Sequence, residues 1–132
     1  VTDPAPVRQT TILIVDDDLN YVEDLKILLS ERYEVIHLSS LLEFNTTLKK
    51  YQPEIILLDI HLDGSESGLE VLDKLKREKN SASVLMISDH PSLDLVVQSM
   101  NMGAAGFVNK STNITDLIRM VHGLVSSLHD RS

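Results

Sequence analysis

The chain contains no cysteine, which excludes a disulfide framework and any thiolate-held metal. That composition suits a reducing, cytoplasmic setting. No apolar run approaches the length of a membrane span, and the N-terminus lacks the charged-then-apolar pattern of a secretory signal. Basic residues are scarce: 12 Lys and Arg stand against 20 Asp and Glu, for a net charge of −8. Such a surface repels phosphate backbones, so direct nucleic-acid binding is not expected, nor is a membrane role. There is no internal repeat, low-complexity tract or Gly-rich phosphate loop, so repeat arrays and loop-type nucleotide binders are set aside.

What is present reads as one folded unit. The 132 residues are 42% apolar and 24% charged, enough for a single domain with a real core. Residues 1–9 carry two prolines and little apolar content and are expected to be a flexible tail, with the domain over residues 10–130. The chain opens on Val1 rather than Met, as a piece of a longer protein would.

From Thr10 onward, short apolar runs alternate with helical patterns. Ile12-Leu13-Ile14-Val15, Ile55-Ile56-Leu57-Leu58 and Val84-Leu85-Met86-Ile87 read as strands buried on both faces. Glu34 to Leu38 is shorter and more polar, which places it at a sheet edge, and Phe107-Val108 is a brief last strand. Helices are predicted from about Asn20 (with Val22, Leu25, Leu28 and Leu29 on one stripe), over Leu41 to Lys50, from Leu69 to the lysines at 74–79, over Leu93 to Met102, and from Ile114 to Leu128. Pro53 and Gly103 stop two of them, and Asn113 or Thr112 caps the last. The order βαβαβαβαβα implies an α/β fold, a doubly wound five-stranded parallel sheet of order 2-1-3-4-5 with helices on both faces.

In such sheets ligands bind at the carboxyl ends of the strands, beside the point where strand order reverses. Four strands here end in a residue able to do chemistry: Asp16-Asp17-Asp18, Asp59, Ser88 and Lys110. In the expected order Asp16, Asp17 and Asp59 share one acidic pocket. Carboxylates held that close raise one another's pKa unless a cation intervenes, and Mg²⁺ with its oxygen ligands is the natural one. Lys110 adds a positive charge and Ser88 a hydroxyl donor, a set that suits phosphoryl transfer to a carboxylate. Taken singly, each residue has a plainer explanation as a solvated loop, turn, cap or surface residue. Their coincidence at one edge outweighs those explanations.

These segments resemble the receiver domain of two-component response regulators. The matching stretches are Ile12 to Asp17, Ile55 to Asp59, Met86-Ile87-Ser88 and Gly103 to Lys110, and the likeness runs from about Thr10 to Leu128. The resemblance implies that Asp59 accepts a phosphoryl group from a histidine kinase or phosphotransfer protein. It implies Asp17 as a direct Mg²⁺ ligand, Asp16 as a ligand through water and the His61 backbone carbonyl as the third protein ligand. Ser88 and Phe107 would be switch residues, Lys110 the phosphate-pairing lysine, and the fourth helix, fifth strand and fifth helix (residues 93–102, 107–108 and 114–128) the readout face. Such a protein catalyses its own aspartyl phosphorylation and dephosphorylation rather than turning over a substrate. An output domain, if there is one, is expected past Ser132.

Several positions depart from the family pattern. Asp63 stands where Pro is common, and Gly68 comes one residue late, implying an insertion within Asp63 to Ser67. Ser111 replaces the proline that often follows the lysine, and Asp89 puts an acid after the switch serine. His61 and His90 border the site and are read either as tuning phosphoryl lifetime or as exposed loop residues; a zinc site from them and Asp63 ranks low. Two other functions compete: an aspartyl-nucleophile phosphatase, for which the chain has no room for a cap, and a degenerate receiver that binds partners without phosphate. The segment from Asn80 to Asn109 has no Lys or Arg, so a dimer held there by salt bridges is not expected; the alternatives are a weak homodimer through an apolar or helix-mediated contact, or a monomer.

Overall fold

The computed structural model describes residues 9–62 and 67–129. Most of the expected tail and residues 63–66 of the expected insertion lie outside the described residues. Strands and helices alternate along the chain: β1 (Thr11–Val15), α1 (Leu19–Leu29), β2 (Glu34–Leu38), α2 (Phe44–Tyr51), β3 (Ile55–Asp59), α3 (Ser67–Arg77), β4 (Ser83–Ser88), α4 (Leu93–Asn101), β5 (Gly106–Asn109) and α5 (Ile114–His129). The strands form one parallel sheet in the order β2-β1-β3-β4-β5, as expected. β2 lies at the edge although it is as long as β1, five residues each, so polarity rather than length marks it.

The continuous apolar runs work because successive side chains point to opposite faces and both faces are covered. Ile12, Ile14, Ile55, Leu57, Leu85 and Ile87 pack with Val22, Leu25 and Leu29 of α1 and Leu117, Val121 and Val125 of α5. Leu13, Val15, Ile56, Leu58, Val84 and Met86 pack with Phe44 of α2 and Leu69, Val71, Leu72 and Leu75 of α3. Each fully buried aliphatic side chain contributes about 1.5–3 kcal/mol of transfer free energy. This two-sided core fixes the carboxyl edge of the sheet.

Three helices start elsewhere than the sequence reading places them. α1 begins one residue early, at Leu19, because Asp18 caps it by accepting the Tyr21 N–H at 3.2 Å, and Leu28 turns toward solvent. α2 begins at Phe44 rather than Leu41. The Ser40 hydroxyl accepts the Leu42 N–H at 3.4 Å and Phe44 N donates to the Leu41 carbonyl, so residues 40–43 turn instead of coiling. α3 begins at Ser67, two residues before the expected Leu69, which places Gly68 inside its first turn. The Gly68 N–H donates to the Ile60 carbonyl at 2.9 Å, seating the start of α3 directly on the end of β3. At the start of α5 the Asn113 side chain is the cap, accepting the Thr115 N–H at 3.0 Å.

Candidate functional site

Asp16 follows β1, Asp59 ends β3, Ser88 ends β4 and Lys110 follows β5, so parallel pairing brings all four to one edge of the sheet. Carboxylate oxygens of Asp16, Asp17 and Asp59 all lie within 4.8 Å of one another, a spacing at which they could hold a metal ion. Asp16 and Asp59 are buried and Asp17 is exposed, so the cluster opens to solvent through Asp17.

Lys110 reaches across from the far side. Its Nζ stands 2.6 Å from Asp16 Oδ2 and 3.2 Å from Asp59 Oδ2, with all three side chains nearly inaccessible. The remaining oxygens are held by the backbone. Asp16 Oδ1 accepts the Asp18 N–H at 2.9 Å, and Asp59 Oδ1 accepts the His61 N–H at 3.0 Å.

One ammonium for two buried carboxylates leaves the pocket short of positive charge. Burial, and then the neighbouring Asp16 charge, push the Asp59 carboxyl up to about 7, against the opposing pull of Lys110 and the His61 N–H. Burial works against the Lys110 ammonium too, but Asp16 and Asp59 outweigh it and hold its pKa above the ordinary lysine value. Among the described residues, the buried Asp16 Oδ2 has the Lys110 ammonium alone to answer its charge. A hard divalent cation with oxygen ligands fits this donor set and this deficit.

Ser88 is fully buried, and its hydroxyl accepts the His90 N–H at 3.1 Å. The Lys110 N–H donates to the Ser88 carbonyl at 2.9 Å, coupling the backbone of the serine to that of the lysine. Phe107, half-buried on β5, packs on the face that carries α2 and α3. The His61 side chain is half-exposed, and His90 and Asp89 are exposed. Ser111 donates its N–H to Asn109 Oδ1 at 2.8 Å, and no cis peptide bond occurs among the described residues.

Two residues at this edge escaped the sequence reading. His37, on edge strand β2, donates from Nε2 to the Asp16 backbone carbonyl at 2.8 Å, so β2 also serves the pocket. Tyr21, in the first turn of α1, has Lys110 Nζ 5.2 Å from its ring centroid. A chemistry-bearing residue near the end of the remaining strand was a signal for His37; Tyr21 had none beyond an aromatic following an acidic run.

The family model for the response regulator receiver domain matches residues 12–122. The chain belongs to that family. It is a response regulator receiver domain of two-component systems. The nitrogen assimilation regulatory protein NtrX of Azorhizobium caulinodans is 37% identical over 81 residues, which are 61% of this chain and 18% of that protein. The cell cycle response regulator CtrA of Brucella ovis is 28% identical over 115 residues, 86% of this chain and 49% of that protein. The receiver domain thus spans less than half the length of either relative. A CheY-like response regulator receiver domain protein from Methanospirillum hungatei superposes with a TM-score of 0.82 at 28% identity, covering 94% of this chain and 99% of that one. No helix among the described residues is long and apolar enough to cross a membrane.

Proposed function

We propose that this receiver domain is a Mg²⁺-dependent phosphoacceptor switch of a two-component phosphorelay, with Asp59 as the acceptor. The observation that carries the reading is the convergence of three carboxylates within 4.8 Å, two of them bridged by one buried ammonium. Burial and the Asp16 charge raise the Asp59 carboxyl to about 7, so a further positive charge beside it favours the carboxylate, the nucleophilic form. Asp16, Asp17, Asp59 and the His61 backbone carbonyl would hold the ion. When bound, Mg²⁺ neutralises charge shared between carboxylates and phosphoryl oxygens.

The ionised Asp59 carboxylate attacks phosphorus, the phosphorus–nitrogen bond of a partner's phosphohistidine breaks, and the electron pair leaves on the imidazole. Lys110 follows the transferred oxygens as their cationic partner. The Ser88 hydroxyl exchanges its contact with the His90 N–H for donation to the phosphoryl group, and Phe107 follows that movement. Water later hydrolyses the acyl phosphate and resets Asp59, with the His61 and His90 side chains tuning how fast. The complete set Asp16, Asp17, Asp59, Ser88 and Lys110 argues against a phosphate-independent binding module.

Readout through α4, β5 and α5 is supported by how lightly α4 is anchored. Its one fully buried residue is Ser99, whose hydroxyl has no hydrogen-bond partner among the described residues. Leu93, Val97 and Met100 are exposed, a face suited to a weak homodimer or to an output domain C-terminal to this chain. The setting is cytoplasmic and the phosphodonor a histidine kinase or phosphotransfer protein. Binding of beryllofluoride tests the reading: ¹⁹F NMR should show a bound signal that needs Mg²⁺ and disappears in Asp59→Asn. A signal unaffected by that substitution would remove Asp59 from the role.

A further inference from the structure

Tyr21 closes a ring of contacts around the acidic pocket. Asp16 Oδ1 accepts the Asp18 N–H at 2.9 Å, and Asp18 Oδ1 in turn accepts the Tyr21 N–H at 3.2 Å. The Tyr21 ring then meets the Lys110 ammonium, 5.2 Å from its centroid, and Lys110 returns to Asp16 Oδ2 at 2.6 Å. Each link fixes the next. The acidic run therefore sets the start of α1, the start of α1 sets the ring, and the ring covers the lysine.

We propose that Tyr21 is a positioning residue for Lys110, its ring face holding the ammonium over Asp16 and Asp59 and closing the route by which the lysine could swing to solvent. The proposal rests on the phosphoacceptor reading only for its consequence, not for the contact itself. An ammonium over an aromatic face is attracted by the ring quadrupole, more strongly where water is excluded, and the Lys110 side chain is nearly inaccessible. The ring is half-buried and packed against the sheet face shared by α1 and α5, so the core sets its orientation. Burial, with Asp16, Asp89 and Asp18 around it, pushes the hydroxyl up to about 12 despite Lys110, so a neutral ring faces the ammonium at physiological pH. The attraction belongs to the ring and not to the hydroxyl. Phe can therefore replace Tyr here, and Leu cannot.

Three proteins decide the matter: wild type, Tyr21→Phe and Tyr21→Leu, all brought to comparable stability in urea. The Lys110 Hε protons should resonate upfield in wild type and Tyr21→Phe, shielded by the ring, and return toward ordinary lysine shifts in Tyr21→Leu. Phosphorylation by a small-molecule phosphodonor with Mg²⁺ should then slow by about three- to tenfold in Tyr21→Leu and by less than about twofold in Tyr21→Phe. Unshifted Lys110 protons in wild type, or equal rates for Phe and Leu, would overturn the positioning role. A wild type that takes no phosphoryl group, with Lys110 still shifted, would instead count against the phosphoacceptor reading and leave the contact standing.

Discussion

Gly68 lies against the backbone of Asp59 so closely that a Cβ on it would stand 2.2 Å from the Asp59 carbonyl oxygen and 2.7 Å from the Ile60 Cα. Both neighbours are backbone at the end of a central strand, so neither can yield cheaply. α3 begins at this point, which means that the first turn of a helix is packed directly on the strand that presents the acceptor carboxylate. Gly68→Ala should therefore cost about 2–3 kcal/mol in urea unfolding, by overpacking rather than by loss of a contact. Backbone amide shifts of Asp59 to His61 should move with it.

Electrostatics at the pocket sets a pH dependence whose sign is defined. Asp59 has its carboxyl pKa raised from 3.8 to about 7 in the fold. Between those values the native state binds more protons than the unfolded state, so stability falls as pH rises. Metal-free protein should thus lose stability from about pH 4 to pH 7, and Asp59→Asn should remove that slope and gain about 1–3 kcal/mol above pH 7. Urea midpoints of both proteins in EDTA, taken across this range, check the prediction. Mg²⁺ should restore wild type, but not the variant, at the alkaline end.

His61 and His90 supply backbone N–H groups to the Asp59 carboxylate and the Ser88 hydroxyl, and these bonds survive replacement of the side chains. A change in aspartyl-phosphate lifetime on replacing both with Ala would therefore report the imidazoles themselves. The expected change is severalfold, followed by loss of phosphate mass over time. An unchanged lifetime would reduce both to loop residues.

The exposed stripe Leu93, Val97 and Met100 carries no charge, and the stretch from Asn80 to Asn109 has no Lys or Arg. Self-association on this face should be weak, insensitive to salt and strengthened by beryllofluoride. Val97→Asp should abolish it in sedimentation velocity while leaving the unfolding free energy within about 0.5 kcal/mol of wild type, as expected for an exposed position.

Much of this molecule was legible in its residues because its central strands are covered on both faces. Ile12–Val15, Ile55–Leu58 and Val84–Ile87 are continuous apolar runs for that reason, and alternation with helices leaves few parallel topologies. The acids and the lysine were legible because parallel strands deliver their last residues to one edge. What was hidden depends on contacts between distant segments. A turn around Ser40 delays α2, the seat on Asp59 moves Gly68 into α3, and Tyr21 and His37 acquire their roles only when β1, β2 and β5 are assembled.

The most direct test of the account is intact mass. Protein incubated with Mg²⁺ and a small-molecule phosphodonor, beside Asp59→Ala, should gain the mass of one phosphoryl group in wild type alone, and EDTA should prevent the gain. A gain that persists in Asp59→Ala, or none in wild type under conditions where beryllofluoride also fails to bind, would contradict the assignment of Asp59 as the phosphoacceptor.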